Sequence, residues 1–314
     1  RSLSEAGFTC CHSVFPAGEQ SKNLAIYGDL LEQLAEFHLS RSDLLIALGG
    51  GVVGDLTGFA AATYNRGIDL VQIATSGLAA IDSSVGGKTA VDLHAGKNLV
   101  GAFKQPLAVL CDLLTFRTLP LEFREDALGE CIKYAMLKSP SLLRKIDPAL
   151  YRETGKKDAL SADERLQKVG EIVAECVSIK AAVVEADEFD KGERMKLNLG
   201  HTVGHAIEQC SDFTITHGHA VATGLSIITR AGEKMGITTP GTSEKLDAVL
   251  IQNHLATITA YSAKELAAAA LVDKKRTGNT IHLVLPTKVG ECILKEVPVT
   301  KLEEIISLGL KPEK

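Results

Sequence analysis

Four histidines fall within nineteen residues of this chain, and their spacing could hold a metal ion. His201 and His205 stand four residues apart in NLGHTVGHAIEQ, so a helix there would present both imidazoles on one face. His217 and His219 follow in THGHAV. The spacing fits a metal site, but it also fits half-buried histidines with ordinary hydrogen-bond partners. A zincin protease is excluded, because Thr202 stands where the HExxH motif needs its glutamate.

A carboxylate outside the histidine cluster could complete a metal site, since catalytic divalent metals take about three protein ligands. Glu130 and Lys133 are separated by one helical turn in the apolar stretch GECIKYAML, residues 129–137. A buried carboxylate and ammonium are expected to be paired or ligated. The pair therefore indicates either a structural ion pair or a functional site.

The glycine-rich turn GGGVVGD, residues 49–55, could bind a pyrophosphate. It follows an apolar run and opens a predicted helix, so its backbone amides and the helix N-terminus suit an anion. The match to G-x-G-x-x-G is partial, because the acidic residue about 20 positions on, Asp69, precedes the next strand. A dinucleotide site is favoured over a tight turn that merely needs glycine.

A second glycine-rich segment, residues 82–106, carries Lys88, Lys97 and Lys104. A P-loop is excluded, because Asp82 stands where its first glycine would be. The segment predicts a cationic loop that grips phosphate or a polyhydroxylated substrate, with an ordinary solvated surface loop as the alternative.

The secondary structure predicted to position these residues differs between the two halves of the chain. Apolar runs at 43–51, 69–75 and 107–112 predict strands of a parallel sheet with both faces covered, with helices around 24–37 and 53–64. This alternation is typical of an α/β domain.

Helical periodicity dominates after Pro120. Apolar residues recur every three or four positions between Leu166 and Val183, and Ser161 with Glu164 predicts a capping box ahead of them. Residues 280–294 predict a late pair of strands around a turn. We therefore expect domains at 1–120 and 121–314, with the site in a cleft between them.

Composition and net charge exclude several classes of protein. The 314 residues, 45% hydrophobic and 23% charged, indicate a folded globular protein. A net charge of -5 without a basic cluster gives no reason to expect nucleic acid as a partner. No apolar run suits a membrane span or signal peptide, and the seven cysteines contain no CxxC pair, so we expect a cytoplasmic protein with reduced thiols.

The motifs taken together resemble the 3-dehydroquinate synthase family of sugar-phosphate cyclases over nearly the whole chain. The matching motifs, in order, are PAGEQSK (16–22), GGGVVGD (49–55), DSSVGGKT (82–89), GKN (96–98), TLP (118–120), GECIKY (129–134), RMKLNLGHTVGHAIE (194–208), HGHAV (217–221) and DKK (273–275).

The resemblance implies an NAD-binding α/β domain with a non-standard, Rossmann-like parallel sheet, followed by a mostly helical domain that binds metal and substrate. The family pattern extends ahead of Arg1, so the first domain is expected to be N-terminally incomplete. The implied reaction is that of a shikimate-pathway lyase of aromatic amino acid biosynthesis. It converts 3-deoxy-D-arabino-heptulosonate 7-phosphate to 3-dehydroquinate and phosphate through transient oxidation by NAD, β-elimination, re-reduction and aldol cyclisation.

The resemblance also assigns residues. Glu130, His201 and His217 would bind a divalent metal, zinc in the first place with cobalt as an alternative, and His205 would transfer a proton. NAD contacts are implied for Glu19, Lys22, Gly51, Val52, Val53, Gly54, Asp55, Thr75, Ser76, Lys88, Lys97, Thr115, Phe116, Arg117 and Thr118. Substrate contacts are implied for Asp82, Lys88, Asn98, Lys133, Lys180, Arg194, Asn198 and a lysine of DKK, with Lys274 and Lys275 as candidates. Arg66 would reach a neighbouring subunit's site, which implies a homodimer.

Two segments depart from the family pattern, at Ala74, Ser76 and Gly77 and at His219, and three alternative functions stay open. Ser76 lies in ATSGL where the family has Pro-Thr-Thr-Leu-Leu, and His219 replaces a common glutamate. The alternatives are a sibling sugar-phosphate cyclase, a metal-dependent polyol dehydrogenase of the glycerol dehydrogenase type, and a truncated, inactive dimerisation scaffold.

Overall fold

The computed structural model describes residues 1–152, 160–271, 276–277 and 279–311. The chain forms two compact units. The α/β unit comprises Arg1–Ala79 and Ser83–Asp112, and the helical unit comprises Ala80–Asp82 and Leu113–Lys314.

The α/β unit is built on a parallel sheet whose strands lie in the order β1 (Leu44–Gly49), β2 (Asp69–Ala74) and β5 (Ala108–Cys111). Its elements are α1 (Ser2–Glu5), α2 (Leu24–Glu36), β1 (Leu44–Gly49), α3 (Gly51–Thr63), β2 (Asp69–Ala74), β3 (Lys88–Leu93), β4 (Gly96–Phe103) and β5 (Ala108–Cys111). The predicted parallel strands and the two predicted helices are thus confirmed. Asn23 begins α2 by accepting hydrogen bonds from the backbone N–H groups of Ala25 and Ile26.

One face of this sheet carries the core of the α/β unit. In β1, Leu45 and Ala47 are buried, whereas Leu44, Ile46 and Leu48 are exposed. The prediction that both faces are covered was therefore wrong within the described residues. The physical reason is that α2 and α3, which flank β1 in sequence, both pack against the same face.

The glycine-rich segment that follows is an antiparallel hairpin of β3 and β4, and the prediction of a loop was wrong. The sequence pattern misled because glycine usually weakens strands. Here Gly101 is required by the pairing, since a Cβ at this position would lie 2.2 Å from the carbonyl oxygen of Thr89.

The helical unit packs its helices around α8 (His217–Lys234) and adds a small antiparallel sheet. Its elements are α4 (Leu121–Lys138), α5 (Pro140–Lys145), α6 (Ala162–Ala186), α7 (His201–Cys210), α8 (His217–Lys234), α9 (Thr242–Gln252), α10 (Ala263–Ala270), β6 (Arg276–Thr277), β7 (Thr280–Lys288), β8 (Glu291–Pro298) and α11 (Leu302–Gly309). The predicted capping box of Ser161 and Glu164 begins α6, and the predicted strand pair is β7 and β8. Among the helices of the described residues, none has the length and apolarity needed to cross a bilayer.

Candidate metal and substrate site

The candidate metal ligands are carried by three helices of the helical unit. Glu130 lies within α4, whereas His201 and His217 are the first residues of α7 and α8. Gly200 precedes His201 with a φ of 80°, a left-handed conformation that favours glycine and turns the chain into α7. The predicted helical face shared by His201 and His205 is confirmed.

Backbone contacts between glycines bring these helices close enough for the ligands to meet. A Cβ at Gly129 of α4 would lie 2.0 Å from the carbonyl oxygen of Gly218, and one at Gly218 would lie 1.7 Å from that of Asp126. A Cβ at Gly224 of α8 would lie 2.3 Å from the carbonyl oxygen of Gly200. Larger side chains would force both helix pairs apart, so the glycines fix the positions of Glu130, His201 and His217.

The two imidazoles converge on one carboxylate oxygen. Nε2 of His201 lies 3.2 Å from Oε1 of Glu130, and Nε2 of His217 lies 3.3 Å from the same atom. Glu130 is fully buried, and its second oxygen forms an ion pair with Lys133. We call Glu130, His201 and His217 the metal cluster.

The surroundings shift the pKa values of the two imidazoles in opposite directions. Burial lowers the pKa of His201 to about 4, although Glu130 opposes this shift. Burial also acts to lower the pKa of His217, but the neighbouring carboxylates of Glu130 and Glu208 outweigh it and raise this pKa to about 10. Burial would raise the pKa of Glu130, yet Lys133 and the imidazoles hold it well below its ordinary value.

The metal cluster fits a divalent metal ion by its donor set. Its ligand atoms all lie within 4.8 Å of one another. Neither oxygen of the buried Glu130 side chain accepts a well-formed hydrogen bond from the part of the chain that the structure describes. One carboxylate and two imidazoles are a three-ligand set of the kind that binds zinc or cobalt and leaves a position for substrate.

A second group of charged side chains surrounds Asp82. Nζ of Lys180 lies 2.7 Å from the backbone oxygen of Asp82 and 2.9 Å from its Oδ1, while the hydroxyl of Tyr134 donates to the same carboxylate. Nζ of Lys133 lies 3.9 Å from Oδ1. Burial opposes ionisation of Asp82, but Lys180 and Lys133 lower its pKa overall. We call Asp82, Lys133, Tyr134 and Lys180 the lysine cluster; Lys133 joins it to the metal cluster.

Arg194 is buried in a 3-10 helix, Glu193–Asn198, whose start is held by Asp187. The Asp187 carboxylate accepts hydrogen bonds from the backbone N–H groups of Lys191, Gly192 and Arg194. The Arg194 guanidinium donates to the backbone oxygen of Glu188. These hydrogen bonds fix both the backbone and the side chain of Arg194.

His205 and Asn198 lie beside the metal cluster in different ways. The His205 ring centroid is 5.3 Å from that of His201 and 5.8 Å from that of His217. His205 therefore neighbours both imidazoles of the metal cluster. The amide of Asn198 donates to the backbone oxygen of Met195.

Five predicted residues meet in the α/β unit. Nζ of the buried Lys22 lies 2.6 Å from Oδ2 of Asp55 and 2.5 Å from Oδ1 of Asn98. Oε1 of Glu19 lies 3.9 Å from Nζ of Lys22 and 3.5 Å from Nζ of Lys97. Burial acts to lower the pKa of Lys22, but Asp55 and Glu19 raise it overall. We call these five residues the Lys22 cluster.

The remaining residues predicted to bind NAD lie on several elements. Gly51, Val52, Val53 and Gly54 form the first turn of α3, and Thr75 and Ser76 follow β2. Gly54 packs on Gln72, whose Oε1 would be 2.7 Å from an added Cβ. The exposed Lys88 begins β3.

Thr115, Phe116 and Arg117 belong to a 3-10 helix, and Thr118 follows it. The Arg117 guanidinium lies 2.5 Å from Oδ1 of Asp163. The exposed Arg66 has a φ of 67°. Lys274 and Lys275 lie outside the described residues.

Sequence reasoning missed three residues that support these clusters. Asp126 and Tyr134 lie one helical turn to either side of Glu130 on α4, and Glu208 lies two turns after His201 on α7. Oδ1 of Asp126 accepts hydrogen bonds from the backbone N–H groups of Gly218 and His219, so it caps α8 directly after His217. The helical periodicity around the known motifs could have identified all three.

Family models cover most of the chain. Residues 12–125 match the model of the 3-dehydroquinate synthase N-terminal domain, and residues 127–276 match that of the C-terminal domain. The chain is 44% identical to the 3-dehydroquinate synthase of Clostridium acetobutylicum over 95% of this chain and 81% of the relative. It is 40% identical to that of Enterococcus faecalis over 98% of this chain and 84% of the relative.

Solved structures share the fold. A 2-deoxy-scyllo-inosose synthase complexed with carbaglucose-6-phosphate, NAD⁺ and Co²⁺ superposes with a TM-score of 0.79 at 25% identity, covering 94% of this chain and 82% of that one. The 2-epi-5-epi-valiolone synthase of Streptomyces hygroscopicus, with NAD⁺ and Zn²⁺ bound, superposes with a TM-score of 0.83 at 22% identity. The match covers 93% of this chain and 81% of that one. A probable glycerol dehydrogenase from Sinorhizobium meliloti superposes with a TM-score of 0.64 at 15% identity, covering 98% of this chain and 86% of that one.

Proposed function

The chain is an enzyme of the 3-dehydroquinate synthase family, and from that premise we propose that it converts 3-deoxy-D-arabino-heptulosonate 7-phosphate to 3-dehydroquinate and phosphate. The observation that carries the proposal is the contact between the metal cluster and the lysine cluster through Lys133, which ion-pairs with Glu130 and lies 3.9 Å from Asp82. A carboxylate–imidazole site beside buried ammonium groups suits a substrate that combines hydroxyl groups with a phosphate.

Two cofactors belong to the proposal. Glu130, His201 and His217 would hold a divalent metal, with zinc expected and cobalt as an alternative. Residues of the Lys22 cluster and the first turn of α3 would hold NAD. When bound, the metal supplies Lewis acidity and NAD supplies a transient oxidation that is later reversed.

The chain's own side chains bind and orient the substrate and move its protons. Lys180 and Arg194 would bind the phosphate, since both are cations held in fixed positions. Asp82 would accept a hydrogen bond from a substrate hydroxyl, because its pKa is low and it stays ionised. A ring nitrogen of the partly exposed His205 would transfer a proton during loss of phosphate.

The family resemblance assigns further residues to the proposal. The proposed substrate contacts also include Lys88, Asn98, Lys133, Asn198 and a lysine of residues 274–275. Arg66 would act in the site of a second subunit of a homodimer, which light scattering after size-exclusion chromatography would test. The domain boundary at residue 120, the cleft and the cytoplasmic location stay predictions.

Two related activities are the alternatives. A polyol dehydrogenase shares the fold, as the superposition with the probable glycerol dehydrogenase indicates. The buried Lys180 and Arg194 favour a phosphorylated substrate over an uncharged polyol. A sibling cyclase would bind another sugar phosphate through the same charged groups. Only an assay with the substrate itself can therefore distinguish the two cyclase activities.

The deciding experiment measures inorganic phosphate released from 3-deoxy-D-arabino-heptulosonate 7-phosphate with Zn²⁺ and substoichiometric NAD, while absorbance reports NADH. Phosphate release without net NADH is the expected result. Net NADH from a polyol would instead identify a dehydrogenase. Absence of phosphate release, with metal and NAD demonstrably bound, would contradict the proposed substrate.

A further inference from the structure

Each imidazole of the metal cluster has one ring nitrogen within hydrogen-bond distance of an oxygen atom. Nδ1 of His201 lies 3.1 Å from the backbone oxygen of Leu199, and Nδ1 of His217 lies 3.1 Å from Oε2 of Glu208. A carbonyl oxygen and a carboxylate oxygen accept hydrogen bonds, so each Nδ1 carries a hydrogen. The opposite nitrogen, Nε2, is thereby left to face Glu130 in both rings.

Glu208 differs from Leu199 because its oxygen belongs to a side chain that can be changed. Its side chain is buried, with the residue 6% exposed. The backbone around it is also fixed: the carbonyl oxygen of Glu208 accepts hydrogen bonds from the hydroxyl of Ser211 and the N–H of Phe213. The end of α7 thus holds this carboxylate against the first residue of α8.

We infer that Glu208 is a positioning residue that fixes the tautomer and ring orientation of His217 and thereby strengthens metal binding. This inference rests on the proposed metal site. A carboxylate that accepts a hydrogen bond from the far nitrogen of a ligand imidazole orients the ring and increases its basicity. Because Glu208 is held on a separate helix from His217, it also ties the start of α8 to α7.

Glu208 has a competing role as a ligand. Its carboxylate, His205 and His217 offer ligand atoms that lie within 4.8 Å of one another. The hydrogen bond argues against that role, since Nδ1 of His217 cannot both donate to Glu208 and bind a cation. The metal stoichiometry separates the two possibilities.

The test is a Co²⁺ titration of the full chain followed by visible absorption, in wild type, Glu208→Gln and Glu208→Ala. We expect one Co²⁺ per chain in all three, an affinity about 10- to 100-fold lower in Glu208→Ala, and an altered absorption spectrum. Glu208→Gln keeps the size and one accepting oxygen but loses the charge, so its affinity should lie between the two. It also keeps the test valid if the alanine variant does not fold.

Asp247→Asn is the matched control. Asp247 is also a buried carboxylate of the helical unit, but it pairs with Arg230 and Lys311 at 2.9 Å from each. This variant should lose thermal stability and keep wild-type Co²⁺ affinity. If it weakened Co²⁺ binding as much as Glu208→Ala, general loss of structure would explain both results and the inference would be overturned.

Two other results would also overturn the inference. One is wild-type affinity and spectrum in both Glu208 variants. The other is binding of two Co²⁺ ions per chain with the second lost in Glu208→Gln, which would make Glu208 a ligand. A wild-type chain that binds no Co²⁺ at all would instead remove the proposed metal site itself, so the two failures are distinguishable.

Discussion

The metal cluster and the Lys22 cluster each contain a buried charge, but they stabilise it differently. Glu130 is fully buried, and its partners Lys133 and His201 are at least nine-tenths buried as well. Lys22 is 4% exposed. Its partners Asp55 and Glu19 retain 19% and 43% of their side-chain exposure.

This difference indicates how far each cluster depends on its surroundings. In the metal cluster, water cannot reach the Glu130 carboxylate, so loss of Lys133 or His201 leaves that buried charge without compensation. In the Lys22 cluster, water can solvate Asp55 and Glu19 after a change. We therefore expect the metal cluster to be sensitive to substitution and the Lys22 cluster to be more tolerant.

Removing a metal ligand should have the largest effect. His217→Ala is expected to weaken metal binding by more than about 100-fold, beyond the range of supporting residues, and to abolish turnover. Metal analysis and phosphate release would measure both. The matched variant is His205→Ala, which should keep the metal and slow turnover by about 100-fold or more through loss of proton transfer. Loss of metal in His205→Ala would contradict the separation of these roles.

The second-largest effect is expected from adding a methyl group at the contact between α4 and α8. Gly218→Ala is expected to destabilise the chain by about 3 kcal/mol or more, because its Cβ would meet the Asp126 backbone rather than a movable side chain. Denaturant unfolding would measure the change. Gly28→Ala on α2 is the control, since nothing lies within 4 Å of its Cβ, and it should be neutral or stabilising by about 1 kcal/mol. Equal stability of the two variants would refute the close contact as a requirement.

Metal affinity should rise with pH. His217, with a pKa of about 10 in the metal-free cluster, carries a proton at neutral pH that metal must displace, whereas His201, with a pKa of about 4, is already neutral. One displaced proton predicts about a tenfold gain in affinity per pH unit between about pH 6 and 9. Co²⁺ titrations against a competing chelator would give the slope. A pH-independent affinity would show that His217 is neutral before metal binds.

Removing the buried ammonium of the α/β unit should have the smallest effect. Lys22→Met is expected to weaken NAD binding by about tenfold, which corresponds to about 1.4 kcal/mol, and to leave Co²⁺ affinity unchanged. Fluorescence titration with NADH would measure it. If Lys22→Met emptied the metal site or prevented folding, the Lys22 cluster would be as sensitive as the metal cluster and the comparison would not hold.

Sequence reasoning succeeded where local rules decide the structure. The parallel strands, α2, α3 and the capping box of α6 follow from hydrophobic periodicity and capping residues within about a dozen positions. It failed for the β3–β4 hairpin, where the contact of Gly101 with Thr89 is compatible only with glycine, and for the exposed face of β1, which depends on where α2 and α3 pack.

The sequence by itself determined the residue types, their helical spacing and the family motifs, because these depend on neighbours along the chain. The family resemblance implied that Glu130, His201 and His217 share a metal ion. Only the tertiary structure decided how closely their side chains approach one another, and that Glu208 and Asp126 support His217. The physical reason is that these contacts join residues of separate helices. They depend on the approach of helix backbones at Gly129, Gly218 and Gly224, which no local pattern encodes.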